Sequence, residues 1–455
     1  MPIGWNYINL SDKQTYENGY IYDSAVNSIA EGVLNGTVVG IAVRQCEASG
    51  INSHAEGART KASGNYSHAE GYSAKALDGG AHAEGAYTES SGSYALDSNN
   101  SKYGYSGAHA EGYSTVASAF AAHAEGDTTI ASGYASHAEG KETEAIGNNS
   151  HASGCNTIAS GNNSHAEGHN TYAIGRSSHA EGICTYAEEI ASHSEGHYTS
   201  ANSNYSHAEG SHTYANSESS HAEGLYTEAD GQASHAEGHY THTSSNYSHA
   251  EGSHTYTDGQ SSHAEGHYTE TYGDGSHAEG SGSVANGYYS HAEGDHTYAN
   301  GDHSHAEGHR TISYGSHSHA EGSYTESSGM YSHAEGANTT ATGNKSHSEG
   351  YYTNSIGKES HAEGGYTQAI GNHSHAEGWN TIARDSQSHA EGFFSETGAE
   401  SNASHAEGAY TRALGHNSHT EGWYTMTGEY AANAHAEGGH TQATGARSHA
   451  EGSDT

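Results

Sequence analysis

The sequence predicts an all-β parallel β-solenoid, and three observations carry this prediction. A unit that begins His-Ala-Glu-Gly, or a variant with one residue changed, occurs 28 times, and its first residue returns every 14 residues from His151 to His389. Fourteen residues are too few for a helical hairpin repeat but suit one coil with two short strands. Pro2 is the only proline among 455 residues, as expected where each coil must donate backbone N–H groups to the next.

The composition excludes an ordinary set of globular domains. Apolar residues make up 31% of the chain, against roughly 45–50% in typical soluble proteins. Low hydrophobicity with a net charge of −41 is also typical of disordered chains, but the strict period argues against disorder. At a strand spacing of about 4.8 Å, the repeats would form a thin rod about 130 Å long.

Each position of the unit H-A-E-G-x-(Y/N/H)-T-x-A-x-G-x-x-S, as in residues 165–178, has an expected place in the coil. Strands are predicted near His-Ala-Glu and Thr-x-Ala, with the fourth- and eleventh-position glycines at corners of positive φ. Alternation along the strands directs Ala at the second and ninth positions and Thr at the seventh into the interior. His and Glu then share one outer face. This face hardly varies along the chain, so we expect a regularly repeating partner to pack against it.

The unit resembles the head repeat of trimeric autotransporter adhesins, the YadA-like left-handed parallel β-roll, with the pattern S-V-A-I-G-x-x-(S/A)-x-A-x-G-x-x-S. The resemblance covers roughly residues 41–455. Ile41-Ala42-Val43 keeps the apolar form of the repeat, and Ser28-Ile29-Ala30-Glu31-Gly32 is intermediate. The resemblance implies a left-handed roll and a homotrimer whose first and third positions face the three-fold axis. Representative axial residues are His54, Glu56, His165, Glu167, His207, Glu209, His263, Glu265, His305, Glu307, His361, Glu363, His449 and Glu451.

In such a trimer, layers of His would alternate with layers of Glu. An unpaired buried carboxylate is unfavourable, so we expect imidazoles of raised pKa that donate to neighbouring carboxylates, with the preceding Ser as a further partner. Such pairing would fix register and oligomeric state. No cofactor is required, and a metal ion on the axis is the alternative. Its candidate ligands are the closely spaced pairs His303/His305, His317/His319 and His373/His375.

His-Ala-Glu-Gly versions of the repeat are also similar to those in tail fibre proteins of phages and phage-like particles of Gram-positive bacteria. The chain contains no apolar run suited to a signal peptide or a membrane span. We therefore expect a fibre made in the host cytoplasm and released with a virion or phage-tail-like particle. A bacterial cell-surface adhesin head is the alternative. A third hypothesis is an ice-binding solenoid, which requires the seventh-position Thr column to face outward.

Charge and motifs exclude several other functions. Only 14 Lys and Arg oppose 55 Asp and Glu, which disfavours nucleic acid and anionic membranes as partners. Catalytic motifs are absent from the sequence, so we do not expect an enzyme. Three cysteines, Cys46, Cys155 and Cys184, make a disulfide framework improbable.

Irregular segments suggest where the chain attaches and what it recognises. Residues 1–40 lack the repeat and are predicted to form an attachment module that contacts a baseplate or fibre stalk, followed by the array over 41–455. Within the array, residues 86–108 stretch one interval to 27 residues, either as a weak copy around Tyr94-Ala95-Leu96 or as an extruded loop. Because the array runs to Thr455 without a capping segment, we expect that a C-terminal chaperone domain was removed.

Aromatic residues concentrate in the distal region, residues 379–435. Trp379, Phe393 and Trp423 share the fifth position of the unit and are predicted to form a column, beside Phe394 and Tyr424. Two 16-residue units, ending at residues 404 and 434, lengthen loops here. Aromatic side chains beside irregular loops on a rigid scaffold are typical of recognition sites. We expect this region to bind a glycan or protein receptor on a bacterial surface, and a C-terminal packing patch is the alternative.

Overall fold

The computed structural model describes residues 46–92 and 106–455, together with the backbone of three N-terminal strands, Gln14–Glu17, Tyr20–Asp23 and Ser28–Gly32. All regular secondary structure in this part of the chain is β-strand. Across the same residues, no helical segment has the length and apolar character needed to traverse a lipid bilayer. The chain divides into two units, Met1–Tyr226 and Thr227–Thr455, which are built alike and are described separately.

Every complete repeat forms one coil with a long strand at positions one to five and a short strand at positions eight and nine. In one coil these strands are His165–His169 and Tyr172–Ala173. Within each unit, each long strand runs parallel to that of the next coil with identical positions opposite one another, as for His165 and His179. The short strands form a second parallel ladder in the same way. The predicted all-β parallel solenoid with 14-residue coils is therefore confirmed.

The N-terminal unit contains both ladders. Its long strands are His54–Ala58, His68–Tyr72, His82–Ala86, His109–Tyr113, His123–Asp127, His137–Lys141, His151–Cys155, His165–His169, His179–Ile183, His193–His197, His207–Ser211 and His221–Leu225. Its short strands are Glu47–Ala48, Lys61–Ala62, Lys75–Ala76, Glu89–Ser90, Val116–Ala117, Ile130–Ala131, Glu144–Ala145, Ile158–Ala159, Tyr172–Ala173, Tyr186–Ala187, Ser200–Ala201 and Tyr214–Ala215.

The C-terminal unit repeats the arrangement. Its long strands are His235–His239, His249–Ser253, His263–His267, His277–Ser281, His291–Asp295, His305–His309, His319–Ser323, His333–Ala337, His347–Tyr351, His361–Gly365, His375–Trp379, His389–Phe393, His405–Ala409, His419–Trp423, His435–Gly439 and His449–Ser453. Its short strands are Glu228–Ala229, His242–Thr243, Tyr256–Thr257, Glu270–Thr271, Val284–Ala285, Tyr298–Ala299, Ile312–Ser313, Glu326–Ser327, Thr340–Ala341, Asn354–Ser355, Gln368–Ala369, Ile382–Ala383, Glu396–Thr397, Arg412–Ala413, Met426–Thr427 and Gln442–Ala443.

The three N-terminal strands form an antiparallel meander that joins the ladder of long strands. Its last strand, Ser28–Gly32, runs parallel to His54–Ala58 and aligns Glu31 with Glu56. The intermediate copy of the repeat is thus paired with the first His-Ala-Glu-Gly copy. The apolar copy at residues 41–43 lies outside the described residues, and the attachment role of residues 1–40 stays a prediction.

The interior of each coil is narrow and is filled by small side chains. Ala166, Thr171 and Ala173 are fully buried, which confirms the predicted interior positions two, seven and nine. The fourteenth-position Ser is buried as well: Ser178 Oγ donates a hydrogen bond of 2.7 Å to the carbonyl of Gly175. The prediction that this Ser would contact the His and Glu side chains is wrong, because its side chain points inward and closes the turn.

Two kinds of glycine serve different purposes. All 28 fourth-position glycines have positive φ, between 106° and 126°. A Cβ on Gly308 would also lie 2.1 Å from the carbonyl oxygen of Gly322 in the next coil. By contrast, the eleventh-position glycines do not have positive φ, and the corners of positive φ lie at positions six and thirteen, as at Asn170 and Ser177. The predicted corner at position eleven is therefore wrong, and the small residue there gives space to the backbone of the next coil.

The twelfth position, which varies in sequence, often carries a backbone cap. The N–H of Tyr134 donates to Asn148 Oδ1 at 3.0 Å, and the N–H of Asn148 donates to Asn162 Oδ1 at 3.0 Å. Asp302 accepts in the same way from Tyr288 N–H at 3.1 Å. Asn and Asp at this position therefore satisfy a turn N–H of the preceding coil, a role that the sequence pattern alone did not reveal.

The irregular intervals leave the ladders in register. His82–Ala86 pairs directly with His109–Tyr113, so no coil lies between these two long strands. The segment around Tyr94 lies outside the described residues. In the first 16-residue repeat, His389–Phe393 likewise pairs directly with His405–Ala409, and the two extra residues form an added turn. The equivalent turn of the second 16-residue repeat carries Tyr430, which is 92% exposed.

Candidate functional site

The first-position histidines form a stack of imidazole rings within each unit. The in-register parallel pairing causes this, because it sets identical side chains above one another. In the N-terminal unit, adjacent ring centroids are from 4.5 Å apart, for His82 and His109, to 5.0 Å, for His54 and His68. In the C-terminal unit, the distances between adjacent ring centroids reach 4.9 Å. The rings of His347 and His361 are nearly parallel, with an angle of 5° between their planes.

The third-position glutamates line the same face beside the histidines. The Nε2 to Oε2 distance within a coil ranges from 3.4 Å, for His165 and Glu167, to 4.0 Å, for His137 and Glu139. The other predicted axial pairs found at this separation are His54 and Glu56 at 3.6 Å, His207 and Glu209 at 3.8 Å, His305 and Glu307 at 3.9 Å, His361 and Glu363 at 3.8 Å, and His449 and Glu451 at 3.8 Å. His263 and Glu265 occupy the same two columns. The structure thus brings these residues together on one face of each unit.

This face is half-buried in the single chain. The side chain of His347 is 37% exposed and that of Glu349 is 46% exposed. His347 Nε2 is nevertheless shielded from solvent and has no hydrogen-bond partner among the described residues, because Glu349 Oε2 is 3.8 Å away. That distance exceeds hydrogen-bond range. The polar edge of the imidazole therefore retains an unused hydrogen-bonding site.

Stacking and burial depress the pKa of many of these histidines. For His333, burial lowers the pKa most, the neighbouring His347 lowers it further, and Glu335 opposes the change. Burial is likewise the largest cause at His68, His109, His137, His151, His179, His193, His249, His263, His291, His319, His361, His389, His405 and His435. The single chain therefore shows a lowered pKa at these histidines, and the raised pKa expected for the paired layers of a trimer stays a prediction. Desolvation and like-charged neighbours outweigh the carboxylate.

One coil of the stack lacks the glutamate. Ser153 replaces Glu in the coil of His151, and the ring of His151 meets that of His165 edge-on, at 75° and 4.8 Å. Elsewhere in the described stacks the planes lie closer to parallel, as for His165 and His179 at 9°. The one edge-on contact in the described stacks thus adjoins the coil that lacks the glutamate.

The histidine pairs considered as metal ligands lie in separate columns. His303 stacks on His317, and His305 stacks on His319, each with ring centroids 4.8 Å apart. His373 Nε2 instead lies 3.1 Å from Glu359 Oε2. Three-residue groups with converging ligand atoms in the described part of the chain are His137/Glu139/His151, His389/Glu391/His405, His405/Glu407/His419 and Glu228/Asp230/His242. Metal binding by the predicted pairs stays a prediction.

The distal aromatic residues form the expected column on the fifth position. Trp379 lies opposite Phe393, and Ala409 interrupts the column before Trp423. The exposed fractions of Trp379, Phe393 and Trp423 are 46%, 41% and 51%. These side chains are therefore available to a partner.

A second aromatic column lies beside the first, on the sixth position. Phe394, Tyr410, Tyr424 and His440 stack in order, with centroid distances of 5.2, 4.6 and 5.3 Å. The two columns meet edge-on, as Trp423 and Tyr424 do at 4.8 Å. Sequence reasoning missed Tyr410 and His440 as members of this surface, although their shared sixth position was the available signal.

Comparison with known proteins agrees with this architecture. The YadA head domain repeat matches residues 124–143, 145–164 and 166–183, which lie in the N-terminal unit. No curated protein sequence matches the chain. Residues 124–183 therefore contain YadA head domain repeats, and in this segment the chain is similar to that family.

Proposed function

We propose that the chain is a structural and receptor-binding fibre protein: a homotrimer of solenoids that associate through their His and Glu faces and present the distal aromatic columns to a bacterial surface receptor. The single observation that carries this proposal is the half-buried His and Glu face, on which imidazole Nε2 atoms such as those of His319, His333 and His347 are shielded from solvent and have no hydrogen-bond partner among the described residues. A β-solenoid with YadA head repeats is a structural, adhesin-type architecture rather than an enzymatic one.

The His and Glu face supports self-association because its chemistry is complementary to itself. Glu occupies the third position in 27 of 28 copies, whereas solvent-facing positions five, ten and twelve vary freely. A partner must repeat with the spacing of the coils to contact every one of them, and other copies of the same chain meet this condition. Carboxylates of neighbouring copies would then accept hydrogen bonds from the unused imidazole nitrogens and fix the register.

The fibre is proposed to belong to a virion or phage-tail-like particle, because the His-Ala-Glu-Gly form resembles phage-type fibres. Its N-terminus would contact the baseplate or stalk. A cell-surface adhesin head is the second candidate, and the matched YadA head repeats favour it. The ice-binding hypothesis fails on geometry. Its Thr column lies inside the coils, where Thr297, Thr311 and Thr339 are fully buried.

Measurement of molar mass tests the trimer. Light scattering of the purified chain should give three times the monomer mass of 47.3 kDa. Replacing Glu321, Glu335 and Glu349 together by Arg should weaken the trimer, so that it dissociates at a higher protein concentration, because the new cations face histidines rather than carboxylates. The matched control replaces Glu270 and Glu326, which lie on the short strands, by Arg and should stay trimeric. A monomeric wild type, or a trimer unaffected by the first set, contradicts the proposal.

Binding to whole bacteria tests the receptor site. Trp379→Ala and Trp423→Ala should each reduce binding at least about tenfold, as expected for aromatic hot spots. The matched control is Tyr314→Ala, because Tyr314 is similarly exposed, at 52%, and lies on the tenth position. If the tryptophan variants bind bacteria as well as the wild type does, this region is not the receptor site.

Immunogold labelling of producing cells distinguishes a particle fibre from a cell-surface adhesin, because a fibre would be found on particle tails and an adhesin on the cell envelope.

A further inference from the structure

One coil of the N-terminal unit lacks a ring that the adjacent coils possess. Tyr186, Ser200 and Tyr214 lie opposite one another on successive short strands, at the eighth position. Elsewhere in the array, no small eighth-position residue has Tyr on both sides. The column of tyrosines is therefore interrupted at a single coil.

The interruption leaves aromatic rings on both sides of a gap. Tyr172 and Tyr186 stack with centroids 5.0 Å apart and planes 3° apart. One face of Tyr186 is thus covered by Tyr172, and the other is directed toward the coil of Ser200. Tyr214 lies one coil beyond Ser200, so two coil spacings, about 10 Å, separate the bordering tyrosines. A ring inserted midway would lie about 5 Å from each, within the range that aromatic pairs favour.

The gap is a surface notch of about 290 Å³. Its walls are Tyr186, Tyr198 and Tyr214, whose exposed fractions are 37%, 47% and 40%. Tyr198 stacks on His212 at 5.2 Å, so this wall is held in place. The Ser200 hydroxyl donates to Asn202 Oδ1 and does not fill the notch. Glu188 adds a carboxylate to the rim.

We propose that this notch is a binding site for a small molecule that carries one planar aromatic ring and a cationic amine. The ring takes the place of the missing tyrosine between Tyr186 and Tyr214, and the amine pairs with Glu188. The fold itself supplies the precedent, since a phenol ring occupies the equivalent position in the coil of Tyr186. The predicted trimer face lies on the long strands, whereas the notch lies on the short ones, so association through His and Glu leaves it open.

Tyramine is the probe, added to the full-length chain and followed by calorimetry. Saturable binding at one site per chain is expected. Ser200→Tyr supplies the missing ring from within and should weaken tyramine binding at least tenfold without lowering the melting temperature. Val116→Tyr is the matched control, because it adds a tyrosine at another eighth position of the same unit, and it should bind like the wild type.

Tyr214→Leu provides a second variant, which removes one wall and should also weaken binding at least tenfold. Absence of tyramine binding to the wild type overturns the proposal, as does unchanged binding to both Ser200→Tyr and Tyr214→Leu. Displacement of tyramine by methyl glucoside at equal concentration would also overturn it, because the notch would then select sugar rings. The molar mass of the chain is independent of these outcomes, so the fibre proposal is tested separately.

Discussion

The imidazole of His333 lies flat on that of His347, with ring centroids 4.8 Å apart and ring planes 5° apart. At this separation, a proton on one ring disfavours a proton on the other. Burial and this neighbour together lower the pKa of His333, and Glu335 only partly compensates. The stack is therefore a column of imidazoles that favours the neutral form, which makes the stability of the solenoid depend on pH.

Acidification is expected to destabilise the single chain. Because the folded-state pKa of these histidines lies below the unfolded value of about 6.5, the unfolded state binds more protons as the pH falls below that value. Stability therefore rises with pH across this window. The contribution of the stack is fully present above about pH 6.5 and is lost as the pH falls through the lowered pKa values. Thermal unfolding of the monomeric chain, followed by circular dichroism, should give a lower melting temperature at pH 5 than at pH 7.5.

The control for this prediction removes titratable rings from the stack. Replacing His319, His333 and His347 together by Gln should reduce the pH dependence of the melting temperature between pH 7.5 and 5.5, since fewer stacked imidazoles then take up protons. Added salt should recover part of the loss at pH 5 by screening. A melting temperature that is constant or rises on acidification in this range would show that the stack does not control stability.

Two adjacent glycines should respond oppositely to substitution. A Cβ on Gly438, where φ is +109°, would lie 2.0 Å from the carbonyl oxygen of Gly452. Gly438→Ala should therefore destabilise its coil by about 3 kcal/mol or more, from strain and overlap. Gly439→Ala is the control, because its nearest new contact is 3.9 Å away, and it should change stability by less than about 0.5 kcal/mol. Hydrogen exchange of the amides in residues 435–443 measures both effects, and similar exchange in the two variants would refute the prediction.

A serine is expected to be tolerated inside the coil at the second position. Ser348 Oγ lies 2.8 Å from Thr353 Oγ1, whereas the buried Oγ1 of Thr325 has no partner among the described residues. Ala320→Ser should supply that partner and leave stability unchanged or raised by up to about 1 kcal/mol. Ala320→Leu should lower stability by about 1–3 kcal/mol through overpacking. Denaturant unfolding distinguishes these outcomes, and a serine variant as unstable as the leucine variant would contradict the expected hydrogen bond.

The twelfth-position cap can be tested with one residue. Asn148→Ala removes the acceptor of the Tyr134 N–H and should cost about 0.5–1.5 kcal/mol. Asn148→Asp keeps an acceptor oxygen, as Asp302 does in its own coil, and should retain most of the stability. The exchange rate of the Tyr134 amide provides the direct measurement. If that amide exchanges equally slowly in the alanine variant, the side chain is not the cap.

Much of this architecture could be predicted from the sequence because the repeat is short and regular. Ala166, Thr171 and Ala173 occupy the interior as their spacing indicated, and His165 and Glu167 share the outer face. Predictions for residues outside the strands were weaker. Ser178 and Gly175 lie in turns, where side-chain direction does not follow strand alternation, so neither the inward Ser nor the ordinary φ of Gly175 could be inferred from the period.

The candidate site, too, could be predicted from the sequence only in part. The fifth-position column of Trp379, Phe393 and Trp423 followed from spacing alone, whereas the stacking of Tyr410 on Tyr424 at 4.6 Å also depends on the positive-φ corner that directs both rings outward. The notch at Ser200 could likewise be recognised only in the three-dimensional structure, because a small residue between two tyrosines forms a cavity only when the strands align the three residues in register.

The sequence by itself determined the parallel β-solenoid, the coil length, the small interior and the face shared by His and Glu, because a 14-residue period with strand alternation allows few other arrangements. The tertiary structure alone decided the direction of the histidine pKa shift and the conformation of the turns. Both depend on distances between coils: imidazoles that are 14 residues apart in sequence lie within 5 Å in space, and the carbonyl of one coil limits which residue the preceding coil can carry.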